Sequence, residues 1–245
     1  MRGEVITFDG HRMNDLFYVG QVSVGLPEFE PSYEDRSIGN GVMLKGTRMG
    51  TVSVSVRLVA KPRVGHDARE ALSALVSWLD VDGAKRLSLS GDGGLWRLAV
   101  PEGAPSVEDA RWNDIVTVRF LQVDPLLYGT ERSVTVPSGG TAGIVTGGDA
   151  PTSPTISASG AVRASESGVW GVRLDEGDFL HVALPTASES AVSIDCGRRT
   201  CSVDGATTLP TLDSDWWEMR PGAHTIRNDV GTGACTLTWV ERWHR

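Results

Sequence analysis

Along TVSVSVRLVA, Thr51 to Ala60, apolar and polar residues alternate without a break. Val52, Val54, Val56 and Leu58 fall on one side, Ser53, Ser55 and Arg57 on the other. A period of two predicts a half-buried strand. The period changes at HDAREALSALVSWLDVDG, His66 to Gly83. There Ala68, Ala71, Leu72, Leu75, Val76 and Leu79 recur every three or four residues, which predicts an amphipathic helix over 67–80. Asp67 is placed to cap its first turn, with Glu70 in capping-box register, and Gly83 to stop it. A lone helix in a strand-rich chain is expected to cover a sheet face. Its apolar stripe should be buried as a lid on an N-terminal sandwich, with Arg69 and Ser73 facing outward.

The remaining pattern is almost all strand and turn. EVITFDG and LFYVGQVSVG read as strands. LPEFEPSYED, with two prolines, reads as an edge strand or an arm. RSIGNGVMLKGTRMG carries the hairpin signal Asn40-Gly41 and has few large apolar residues to bury. Residues 28–50 are therefore expected to form an extended, protruding arm. SGDGG at 90–94 predicts a turn between two strands, and WNDIVTVRFLQV a long strand ending at Asp124-Pro125. From Pro137 to Pro154 the chain turns rich in Gly, Ser, Thr and Pro, which predicts a linker with one short strand, TAGIVT. Beyond it eight short strands are expected, in SPTISASG, GVWGVRL, DFLHVAL, SAVSIDC, TCSVDG, DWWEM, AHTIRND and ACTLTWVERW. The fold class is thus mainly β, with two β-sandwich domains. The N-terminal one (1–137) carries a single helix; after a linker (138–153) the C-terminal one (154–245) is of jelly-roll type.

Composition narrows the function more than the fold. The net charge of −8 argues against a general nucleic-acid binder. No stretch is long and apolar enough for a membrane span, and the N-terminus lacks a signal-peptide core, so synthesis in the cytosol is expected. Cys196, Cys201 and Cys235 have no His at zinc-ligand spacing. They are expected to be reduced and buried; a Cys196–Cys201 bridge across a turn is the alternative. No nucleophile elbow, P-loop or dinucleotide motif is present, so neither an enzyme nor a cofactor is expected. The acidic turn Asp175, Glu176, Asp178 is expected to hold no metal, since a calcium site needs several oxygen ligands from a fixed loop and acidic turns without one are much commoner. Trp170, Trp216, Trp217, Trp239 and Trp243 crowd the C-terminal half. Core or interface packing is the first reading for them. The alternative is a carbohydrate-binding protein in which Trp170 and Trp239 stack on host glycans.

In order and spacing these elements resemble the distal tail (Dit) proteins of long, flexible-tailed bacteriophages. The resemblance rests on Phe8-Asp9-Gly10, the loop Gly39-Asn40-Gly41, the Thr51–Ala60 strand, the helix ending Trp78-Leu79, and Lys85-Arg86-Leu87. It continues through Phe120, Asp124, Pro125 and Tyr128, then Gly148 to Ile156, Trp217 to Gly222, and Trp239, Arg242 and Trp243. His224 departs from it, standing where such proteins often carry Asn. The resemblance implies a structural role in the virion, at the distal end of the tail. The chain would form a hexameric ring joining the tail tube protein to a tail-tip, tail-associated or receptor-binding protein. DNA would only pass through its channel, with no sequence-specific contact. A galectin-like C-terminal domain would point outward. Tyr33, Ile38, Asn40, Met43, Leu44 and Arg48 on the arm are the expected ring interface.

Overall fold

The structure, a computed structural model, describes residues 4–36, 39–61, 68–110, 113–184 and 190–244. The expected helix cap Asp67, with His66 before it, the expected interface residue Ile38, and Trp112 lie outside them. The chain is mainly β, with one α-helix among the described residues. It divides after Leu127 into two compact units.

The first unit runs through β1 (Ile6–Phe8), β2 (His11–Arg12), β3 (Phe17–Val24), β4 (Phe29–Asp35), β5 (Val42–Met49), β6 (Val52–Ala60), α1 (Ala68–Leu79), β7 (Lys85–Leu89), β8 (Trp96–Pro101), β9 (Ser106–Ala110) and β10 (Asn113–Gln122). β6 keeps strict alternation, with Val52, Val54, Val56, Leu58 and Ala60 buried. It lies between β3 and β10, pairing Val56 with Val118 and Val54 with Phe120. β10 also pairs with β8 at one end and β9 at the other, and β8 leads through β7 to β1. The core closes where Phe8 of β1 meets Phe120 of β10, ring centroids 4.9 Å apart, although the two strands are not neighbours in the sheet.

α1 contributes Ala71 and Leu75 to this core, with Ala68, Leu72, Trp78 and Leu79 packed against its margin. Arg69 and Ser73 face out, as expected. Val76, expected in the stripe, is instead 62% exposed. It follows Leu75 and so sits roughly 100° further round the helix, at the edge of the buried face. β9 departs from the sequence pattern: SVEDA is polar, and its pairing with β10 supplies what its side chains do not.

The second unit contains β11 (Leu127–Val136, from Tyr128 on), β12 (Thr141–Thr146), β13 (Thr155–Val162), β14 (Val169–Leu174), β15 (Asp178–Ala183), β16 (Ser190–Asp195), β17 (Thr200–Val203), β18 (Ala206–Thr208), β19 (Gly222–Val230) and β20 (Cys235–Trp243). Two sheets, β18-β17-β16-β13-β20-β11 and β12-β19-β14-β15, face each other across a core that includes Trp170, Trp217, Ile226 and Leu237.

Residues 138–153, expected as a linker, are built into this unit. β12 pairs along β19 from Thr141↔Arg227 to Thr146↔Gly222. The glycines before it serve a tight turn. Gly140 donates to the Pro137 carbonyl, Gly139 to that of Asn228, and Asn228 to that of Gly140. The fully buried Asn228 amide then donates to the carbonyls of Val136, Pro137 and Gly233. DWWEM is not a strand either: Trp217 and Met219 are buried from irregular backbone, tied to the sandwich by a Thr152–Met219 bridge.

Candidate assembly surface

β4 and β5 form a two-stranded sheet of their own. Their register pairs Phe29 with Met49, Pro31 with Thr47, and, past a bulge, Tyr33 with Leu44 and Asp35 with Val42. Directly paired residues share a face. One face therefore carries Phe29, Pro31, Tyr33, Val42, Leu44 and Met49, with Thr47 in its middle and Asp35 at its end. The other carries Glu30 with Arg48 (2.7 Å) and Glu34 with Lys45 (2.7 Å). These exposed ion pairs hold the hairpin's register more than they stabilise it. Alternation along Phe29-Glu30-Pro31-Ser32-Tyr33 makes the hairpin amphipathic, and the bulge opposite Ser32 and Tyr33 keeps Lys45 on the charged side.

The apolar face is open. Phe29 is 65%, Tyr33 60% and Leu44 63% exposed. An isolated two-stranded hairpin is marginal in water, and a contiguous exposed apolar strip marks a partner surface. Of the expected interface residues, Tyr33, Met43, Leu44 and Arg48 lie on this hairpin and Asn40 at its exposed tip. Met43 pairs with Glu34, so it belongs to the charged face. Phe29 and Val42 share the exposed apolar face but are not among the expected residues, although the two-residue period from Phe29 to Tyr33 points to the first.

The glycan reading loses its residues. Trp170 is 0% and Trp239 5% exposed, so neither indole offers a face for stacking. Both sit on inward positions of sandwich strands, where alternation directs them into the core. Among the described residues no three His, Cys, Asp or Glu side chains gather into a metal site. Cys196, Cys201 and Cys235 are free and buried, and burial pushes each thiol up to about 11.

Asp175, in the acidic turn, has a different task. Its carboxylate accepts from the Thr225 N–H (2.8 Å) and faces His224 Nδ1 (2.8 Å), while His224 Nε2 faces the Arg220 carbonyl (2.7 Å). Both ring nitrogens thus meet acceptors, which only the doubly protonated imidazole satisfies. Burial alone would lower the His224 pKa; the Arg220 carbonyl and the Asp175 carboxylate outweigh it and hold it above its ordinary value. For Asp175 burial would raise the pKa, but the bonds from His224 and Thr225 hold it below its ordinary value. A raised His pKa stabilises fully below the unfolded value of about 6.5 and is lost as pH climbs through the folded one. A depressed Asp pKa is lost as pH falls through its folded value. The pair is therefore most effective between those limits. Melting temperature followed from pH 5 to 9 is expected to fall more steeply above neutrality for the native chain than for His224→Asn. Parallel curves would refute a stabilising His224–Asp175 pair.

Residues 147–243 match the family described as the siphovirus-type tail component, C-terminal domain. The chain has the fold of the crystal structure of SPP1 Dit, a protein described as a paradigm of the hub adsorption apparatus in phages that infect Gram-positive bacteria. The TM-score is 0.72 at 19% identity, covering 98% of each chain. It is also similar to a chain in the phage p2 baseplate in its activated conformation with Sr, with a TM-score of 0.51 at 7% identity, covering 97% of this chain and 98% of that one. No curated protein matches it.

Proposed function

From a chain that is Dit-like along its length and carries a siphovirus-type tail component domain, we propose a structural hub at the distal end of a phage tail. Six copies close a ring through their first units. The ring joins the tail tube to the tail-tip or receptor-binding apparatus, and DNA passes through its channel. The role is architectural: copies contact one another and neighbouring tail proteins, and no reaction is catalysed.

The observation that carries this reading is the amphipathic arm, which stands outside both cores and exposes one apolar face. A closed ring needs a heterologous contact, in which one surface of a subunit meets a different surface of the next. An arm with one apolar face supplies the first of these. The net charge of −8 suits a channel that DNA must traverse without sticking.

Light scattering and negative-stain microscopy of the purified protein test it. Six-fold rings are expected. Tyr33→Glu combined with Leu44→Glu should weaken the contact between copies by at least about a hundredfold, since an unpaired carboxylate buried at an apolar contact costs more than the roughly 1–3 kcal/mol of a neutral polar group. Melting temperature should stay within a few degrees, because neither side chain is in a core. A strict monomer at every concentration, or rings untouched by the double variant, would overturn the assignment.

A further inference from the structure

The chain has four asparagines, Asn14, Asn40, Asn113 and Asn228, and the structure sets one apart from the rest. The Asn14 amide is held at both ends: Oδ1 accepts from the Ile6 N–H (2.9 Å) and Nδ2 donates to the Glu4 carbonyl (2.8 Å). Asn228 is fully buried, its amide donating to three carbonyls. Asn113 opens β10, its backbone in register with Ala110. An aspartate follows each of these three. Asn40 differs on every count. It is exposed, it lies outside both strands of the arm, and Gly41 follows it. The last paired residues are Asp35 and Val42, so Gly41 lies beyond the ladder. The φ of Gly41 is 90°, and a methyl added at Gly39 or Gly41 would meet no atom of the described residues within 4 Å.

We propose that Asn40 is a site of spontaneous, backbone-assisted deamidation, which turns the amide at the arm's tip into a carboxylate. The lone pair of the Gly41 nitrogen attacks Asn40 Cγ, and a new C–N bond forms as the Cγ–Nδ2 bond breaks. Nδ2 leaves as ammonia, carrying off the proton that the Gly41 nitrogen gives up. A five-membered succinimide remains. Water then adds to one of its two carbonyls. Opening at Cγ gives an aspartyl residue; opening at the main-chain carbonyl gives an isoaspartyl residue, whose chain runs through Cβ. Water enters, ammonia leaves, and nothing is oxidised or reduced. Glycine in second place favours the ring closure, because no Cβ crowds the attacking nitrogen and the backbone turns freely. Aspartate at the other three positions puts a side chain and a negative charge beside that nitrogen, which hinders both attack and loss of the proton. The product adds one negative charge to a chain at −8, and the isoaspartyl form adds a methylene to the turn between β4 and β5. The chemistry needs only the exposed tip of one chain and does not depend on ring formation.

Peptide mapping by mass spectrometry on the incubated full chain tests this. The peptide containing Asn40 should gain about one mass unit, the replacement of NH2 by OH. The gain should be about tenfold faster at about pH 9 than at about pH 7, because the attacking nitrogen is nucleophilic only once it gives up its proton. Chromatography should resolve two products of equal mass, with the isoaspartyl form in excess, since the main-chain carbonyl of the succinimide is the more electrophilic. The peptides containing Asn14, Asn113 and Asn228 should stay unchanged over the same period. Asn40→Gln should abolish the gain, because one more methylene makes the closing ring six-membered and slow to form. An unmodified Asn40 peptide, or a gain shared equally among the four asparagines, would overturn the proposal. An aspartyl product with no isoaspartyl form would overturn the succinimide route.

Discussion

Asp92→Ala is expected to lower the stability of the first unit by about 3–5 kcal/mol, the cost of stranding one partner of a buried ion pair. Arg97 lies on β8 in register with Leu87, facing the core, and is 0% exposed. Its guanidinium spans both carboxylate oxygens of Asp92, with Nη2 3.0 Å from Oδ1 and Nη1 bonded to Oδ2. Asp92 is held in place by the turn that ends in Gly93, whose φ of 66° is in the left-handed region. Truncating Asp92 leaves a cation out of water with no carboxylate to meet it. The double change Asp92→Ala with Arg97→Leu should recover most of the loss, because removing both charges is far cheaper than removing one. Denaturant titration of the native chain and the two variants reads this directly. A single-variant loss below about 1 kcal/mol, the range of an exposed pair, would contradict the burial of Arg97.

Trp170→Ala should be as severe for the second unit, about 3–5 kcal/mol for deleting a fully buried large aromatic. Trp170 stands on β14 at the centre of the sandwich core, among Val172, Leu180, Val182 and Trp217. The cavity cannot close cheaply. A methyl added at Gly231 would lie 3.1 Å from Trp170 Cδ1 and 2.5 Å from the Arg163 carbonyl, so the backbone already packs tightly there. Thermal unfolding by near-UV circular dichroism is the measurement. A variant as stable as the native chain would return Trp170 to the surface and restore the glycan-stacking alternative. A large loss of stability leaves that alternative without its aromatic platform.

Much of the architecture was legible in the chain because it depends on neighbours a few residues apart. The Val52–Leu58 alternation and the Ala71–Leu75 stripe each state which side is apolar, and both sides prove buried. The arm was legible for the complementary reason: Asn40-Gly41 marks a turn, and the prolines and glycines around it cannot build a core. Long-range pairing was harder to read. β9 and β11 are polar along much of their length and become strands because β10 and β20 lie beside them. The glycine-rich stretch after Val136 resembled a linker, but Asn228, some ninety residues away, binds its carbonyls.

The sequence by itself determined the element types, the mainly β class and the presence of an exposed arm. Each follows from local periodicity and backbone preference, which act within one strand or one turn of helix. Only the tertiary structure decided which aromatics are core, that Arg97 is buried against Asp92, and that one face of the arm is an apolar strip. It alone left Val76 of the helix stripe exposed. Those outcomes depend on which strand pairs with which and in what register, and pairing energy is shared between segments far apart in the chain.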